Sequence, residues 1–177
     1  MNKVEIRNRL ALAVALLLCT ATVAFSQQKG DNGLANRYQN IEVGKFDVEA
    51  GIDFPPDYLK DLPQAVVSKL RELKKFKQVL QAGETPSDAG SAPTLQLVGT
   101  IIDYKPGSQA KRYLLGMGAG KTKIIVHAKF IDKATGQVVL ERDVQGKIEW
   151  GMFGGASKGA LDGLGKEIAQ VAKQKFF

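Results

Sequence analysis

His127 is the only histidine in the chain, and the only cysteine, Cys19, lies in its apolar first segment. Zinc sites draw on several nitrogen or sulfur ligands, so neither residue has companions of its own kind, and no metal or cofactor is expected. A hydrolase triad needs a nucleophile, a base and an orienting acid. Ser108 and Asp103 can be set beside His127, but Gly107-Ser108 lacks the flanking pattern of a nucleophile elbow. A histidine between Ile125 and Lys129 in an alternating run reads instead as a half-buried sheet residue. Paired carboxylates leave no local signature, so Asp103 and Glu149 stay open as such a pair, on wall or surface glycans. Nothing else suggests catalysis, and a non-enzymatic role is expected.

Leu115-Gly-Met-Gly-Ala-Gly-Lys121-Thr122 invites a phosphate-binding reading. A P-loop requires glycine, four residues, then Gly-Lys-Ser/Thr, so that backbone amides wrap the phosphates ahead of a helix. Counting back from Gly120 puts the first glycine where Leu115 stands, and Gly116 comes one residue too late. The next segment also alternates like a strand. These glycines read as a tight loop or bulge between strands.

Basic residues gather at Lys105, Lys111, Arg112, Lys121, Lys123 and Lys129, with Tyr104 and Tyr113 among them and no acid between Lys105 and Lys129. On a strand, loop and strand, Lys105, Lys111, Arg112, Tyr113, Lys121 and Lys123 would form a cationic, partly aromatic patch for an anionic envelope polymer or lipid head groups. The competing reading is a solvated sheet edge guarded by lysines. Gly155, Gly159 and Gly163 are four apart and line one side of the last helix, which allows close backbone approach. That helix either lies tight on its own sheet or meets another helix in a homo-oligomer.

The elements that would position these residues follow from periodicity. Residues 41–48 alternate, with Ile41, Val43 and Val48 as strand residues and Gly44 as a bulge. Pro55-Pro56 ends that element. Over 57–76 the period becomes helical, with Leu59, Leu62, Val66, Leu70 and Leu73 on one face and lysines on the other. Pro63 is tolerable only near the helix start, with Asp61 as cap. Short strand 77–81 follows, then a loop over 83–93. Residues 95–104 form a strand stopped by Pro106-Gly107. In 121–131, Ile124, Val126, Ala128 and Phe130 share one face, and Ile125, His127, Lys129 and Ile131 the other. Asp132 to Gly136 has the composition of a hairpin turn, and 137–144 returns, with 147–150 as its extension. A last helix opens at Ser157, with Leu161, Leu164, Ile168, Val171 and Ala172 inward and Phe177 packing its end. This order predicts an α+β domain: a small, mostly antiparallel sheet of five or six strands with two main helices on one face.

The ends set the compartment. Lys3, Arg7 and Arg9 precede the apolar run 10–25, and Ala24-Phe25-Ser26 offers small residues for cleavage. Residues 1–26 read as a signal peptide, because the apolar core is short for the roughly 20 residues that span a bilayer. Cys19 offers lipidation, and a membrane anchor, as the alternative, although Leu18 is larger than a lipoprotein signal places there. With the signal removed, 177 minus 26 leaves 151 residues, enough for one core. Loss of Lys3, Arg7, Arg9 and Glu5 takes the formal charge from +7 to +5. The mature chain has no cysteine and relies on packing alone. It is expected to be periplasmic or secreted, with no transmembrane span and no nucleic-acid partner; its partners would be envelope anions, another protein or its own copies. Residues 27–39, polar with Gly and Asn, read as a flexible lead-in, and 40–177 as the single domain.

Asp103-Tyr-Lys-Pro-Gly-Ser-Gln-Ala-Lys-Arg-Tyr-Leu-Leu-Gly-Met-Gly-Ala-Gly-Lys121 resembles a family of bacterial secreted proteins catalogued as domain of unknown function number 4410 (DUF4410). Ile131-Asp-Lys-Ala-Thr-Gly136 and Gly151-Met-Phe-Gly-Gly155 extend the resemblance over most of the mature chain. It implies a small exported protein, often a lipoprotein, similar to the α/β domain of envelope-assembly lipoproteins such as the curli-secretion channel subunit. It brings no catalytic residues.

Overall fold

A computed structural model describes residues 33–87, 92–106, 122–146 and 156–177. The signal segment with Cys19 and the lead-in up to residue 32 lie outside them. In chain order the elements are β1 (Asn40–Val48), α1 (Pro56–Glu72), β2 (Gln78–Gln81), β3 (Thr94–Lys105), β4 (Lys123–Asp132), β5 (Val138–Gly146) and α2 (Ala156–Phe176). The five strands form one sheet in the order β2-β1-β3-β4-β5.

The sheet is mixed, which corrects the expectation of a mostly antiparallel one. β1 pairs in parallel with both β2 and β3, whereas β3–β4 and β4–β5 are antiparallel. Parallel pairing needs a crossover, and α1 supplies it between β1 and β2. Alternation reveals which face a residue takes but not the direction of its strand.

The inward residues follow the alternation closely. Ile124, Val126, Ala128 and Phe130 of β4 and Leu95, Leu97 and Ile101 of β3 are buried, while Ile125, His127, Lys129 and Ile131 are half-exposed on the other face. Gly44 sits in a register shift between Val43 and Phe46, after which Phe46 turns into the core. Leu62, Val66, Val67 and Leu70 of α1, with Leu161, Leu164, Ile168, Ala172 and Phe176 of α2, join the sheet residues in one apolar cluster.

α1 begins earlier than Pro63 suggested. Pro56 takes the first helical position, where its missing N–H costs nothing and its fixed φ already suits a helix. Pro55 precedes it, no side chain caps it, and Pro63 lies inside the helix. Asp61 is therefore a helix residue and not a cap. The end of the lead-in also differs from a flexible tail. Tyr38 is buried, Leu34 packs on the core, and the Asn36 N–H donates to the Phe176 carbonyl at 2.7 Å.

The turn from Asp132 to Gly136 forms as its composition predicts. Gly136 has φ +71°, its N–H donates to the Asp132 carbonyl at 2.8 Å, and the Asp132 carboxylate accepts from the amides of Ala134 and Thr135. Two residues later than Glu72, Lys74 leaves α1 at φ +53°. That left-handed conformation is the one glycine takes at a helix end and lysine takes at a cost. Lys74→Gly is expected to stabilise the fold by about 1 kcal/mol, read as a higher midpoint in urea with an unchanged slope; an unchanged or lower midpoint refutes it.

Candidate functional site

The antiparallel register of β3 and β4 sets Lys105 directly opposite Lys123, at the end of the sheet from which the loop between these strands departs. The Lys123 ammonium donates to Asp103 Oδ2 at 2.9 Å, and that hydrogen bond holds the Asp103 carboxyl below its ordinary range. The structure thus unites two of the six residues of the expected patch. Lys111, Arg112, Tyr113 and Lys121 lie outside the described residues, as do Ser108, Glu149, Gly155 and the glycine-rich run 115–121.

Beside this end opens a cleft of about 500 Å³ lined by Ile52, Asp53, Pro55, Ile102, Asp103 and Tyr104. Phe54 sets its ring edge-on to Tyr104 at 5.0 Å and to Tyr58 at 6.1 Å. Burial first, then Tyr58 and the Asp53 charge, push the Tyr104 hydroxyl above its ordinary value, so it stays a donor. Asp103 is kept as an anion, which suits a base or nucleophile and not a proton donor. Asp53 and Tyr104 were missed as a pair because the contact joins the β1–α1 loop to β3, and no spacing in the sequence announces it.

His127 lies on the half-exposed face of the sheet, with Ile125, Lys129 and Ile131. Its Nδ1 is 2.6 Å from Asp143 and its Nε2 3.2 Å from Glu141, both on β5, and Lys129 reaches Glu141 at 3.6 Å. Those two hydrogen bonds raise the His127 pKa. Imidazole, ammonium and two carboxylates thus satisfy one another across the strand pair. Among the described residues, no group of three histidine, cysteine or acidic side chains is placed to hold a metal ion.

A second carboxylate sits deeper, at the far end of β4. Asp132 accepts from the Tyr38 hydroxyl at 3.0 Å and from Arg37 at 3.2 Å, in addition to its turn amides. Burial raises its pKa, but the hydrogen bonds from Thr135, Tyr38 and Ala134 together outweigh that and lower it. This is an anchor for the lead-in, and its signal was Tyr38, the one aromatic in a mostly polar stretch.

Of the glycines on α2, Gly163 is buried and Gly159 is half-buried. Gly165, outside that four-residue spacing, makes the close approach to α1: a Cβ there would lie 2.9 Å from the Ala65 carbonyl oxygen. No helix among the described residues is long and apolar enough to cross a membrane.

A family model described as "Domain of unknown function (DUF4410)" matches residues 51–173. No curated protein matches the chain. Among solved structures, the PelC dodecamer from Paraburkholderia phytofirmans in space group P6 is 17% identical with a TM-score of 0.52, covering 81% of this chain and 92% of that one. A dodecamer of a point variant of the same protein is 17% identical with a TM-score of 0.50, covering 78% and 86%. At such identity the likeness shows the fold alone.

The His127 cluster makes a pH-dependent clamp between β4 and β5. A histidine whose folded pKa is raised contributes stability that is fully present below its unfolded pKa of about 6.5 and is lost as pH rises through the folded value. The melting temperature of the native chain should exceed that of a His127→Gln variant by most at acidic pH, the gap narrowing above neutrality. A gap constant from pH 5 to pH 9 refutes the clamp.

Proposed function

We propose that this chain, which belongs to the DUF4410 family, is an exported, non-enzymatic envelope protein that binds another envelope component through the end of its sheet marked by Lys105 and Lys123. The carrying observation is the placement of these two lysines opposite one another. Like charges directly across a strand pair are destabilising, and Asp103 neutralises one of them while an anionic partner would relieve the rest. The loop between them adds Lys111, Arg112, Tyr113 and Lys121 to the same reading through the sequence. Anionic wall polymers or lipid head groups are the partners this chemistry suits.

Oligomeric assembly is the second reading, favoured by the fold the chain shares with solved dodecamers. In it, Gly155, Gly159 and Gly163 give the contact face of α2, and the protein is an assembly or secretion component. A carboxylate-dependent glycan hydrolase is the reading these observations favour least. It would need Asp103 as its base and an acid from elsewhere, and activity of the purified protein on wall polysaccharides would revive it.

Lys105→Glu combined with Lys123→Glu is expected to release the protein from sedimented envelopes at low salt, with a loss of roughly tenfold or more. Association unchanged by this pair overturns the reading. For the second reading, light scattering should give a multiple of the monomer mass; a monomer whose mass does not respond to Gly159→Leu removes it.

A further inference from the structure

The opposite end of the sheet carries a second cationic surface that this reading does not use. Asn40 stands level with Gln78 and Thr94, and Leu95 with Asp132, so β1, β2 and β3 start and β4 ends at one level. Both helices stop there. Phe177 sets its ring edge-on to Phe76 at 5.0 Å, and Phe176 packs on Tyr38 and Phe130 at 5.8 and 5.3 Å. The chain leaves α1 through Lys74-Lys75-Phe76-Lys77 and ends α2 in Lys173-Gln174-Lys175-Phe176-Phe177, with no acid in either stretch.

Lys74, Lys75, Lys77 and Lys173 are exposed. The acids near them are matched within the fold: Asp132 by Arg37 and Tyr38, Glu42 by Lys133, Glu72 by Lys69. Helix C-termini favour cations, but that effect fades beyond the last turn. Lys74, Lys75 and Lys77 follow the last residue of α1, and Lys74 holds a backbone conformation that glycine would take more readily. Capping therefore explains only part of the cluster. Apolar groups share this end. Lys75 lies over the half-buried Phe177 ring at 5.9 Å, and Val138, at 41% the one exposed large hydrophobic among the described residues, opens β5 at this same end, on the opposite edge of the sheet.

We infer that this end docks on an anionic bilayer surface, its lysines meeting lipid phosphates and Phe177 and Val138 meeting the boundary with the acyl chains. Lysines near such a surface each add to binding, and aromatic or aliphatic side chains beside them distinguish a bilayer from a purely charged polymer. A polysaccharide would use the charge and leave the apolar groups idle.

The test is partition of the purified exported protein onto phosphatidylglycerol-containing vesicles, with phosphatidylcholine vesicles as reference, at low salt. Lys74→Glu, Lys75→Glu and Lys173→Glu together are expected to lower partition about a hundredfold or more, and the corresponding glutamine set about tenfold or more. Lys45→Glu with Lys60→Glu, exposed and outside both lysine clusters, should leave it within about twofold. Unchanged melting curves by circular dichroism establish that the variants fold, and the glutamine set keeps the test open if the reversals do not. Native partition by the triple variant overturns the inference, as does a loss confined to the Lys105 and Lys123 variant. Binding to soluble dextran sulfate without binding to vesicles also overturns it, in favour of a polymer. Envelope association that survives Lys105→Glu with Lys123→Glu but fails in the triple variant sinks the proposed function while leaving this inference standing.

Discussion

Helix α2 has to touch the sheet and α1 at once, and the chain allows it little room. On the sheet side, a Cβ at Gly146 would sit 3.0 Å from the Leu164 Cβ and 3.3 Å from the Ala160 carbonyl oxygen. On the α1 side, a Cβ at Gly165 would press on the Ala65 backbone, which cannot step aside as a flexible side chain could. Between these two contacts lie Leu161, Leu164 and Ile168, buried and shared with the sheet residues of the core. Interiors packed at crystal-like density transmit such a constraint outward. Gly99 repeats the device under Phe46 and Val126, where added carbon would come within 2.7 Å of both side chains.

The same closeness accounts for where the polar groups go. A buried carboxylate is tolerable only when its hydrogen bonds are satisfied, and Asp132 receives donors from its own turn and from the lead-in. Tyr38 thereby ties the beginning of the domain to the turn between β4 and β5, beside the end of α2. At the β2 edge of the sheet, Arg71 donates through Nε and Nη2 to the Val79 carbonyl at 3.3 and 2.9 Å. An edge whose acceptor is already occupied by its own helix is a poor template for a further strand.

Much of this architecture was legible because burial has a period. The inward sets of β3, β4 and both helices follow from spacing alone, and the bulge at Gly44 follows from the break in its alternation. What escaped had other causes. Strand direction depends on where connections run, so the parallel pairing of β1 with β2 and β3 left no mark on the pattern. Pro63 misled because the stronger signal was Pro56 at the helix start. Gly165, where a Cβ would press on the Ala65 backbone of α1, lies outside the four-residue spacing of Gly155, Gly159 and Gly163, and no pattern in the sequence singled it out. For the candidate site, the basic run was visible but the opposition of Lys105 and Lys123 required the register of β3 against β4. Asp103 belongs to the same lesson: its ion pair with Lys123 comes from a residue twenty positions on.

The distribution of charge then separates the surfaces that are complete from those that are not. On the half-exposed face of the sheet, Lys129 and, when protonated, His127 meet Asp143 and Glu141 across one strand pair, so these charges offset one another. Exposed pairs of this kind contribute little to stability, but they remove the long-range field that would attract a charged partner. The two ends of the sheet differ. One opposes two lysines with a single aspartate between them, and the other gathers lysines from two helix ends whose neighbouring acids are matched elsewhere. Net charge acts over a Debye length of about 8 Å at physiological salt. The two cationic ends lie at opposite ends of the 12-residue strand β3, further apart than that length, so the field of each is largely screened from the other.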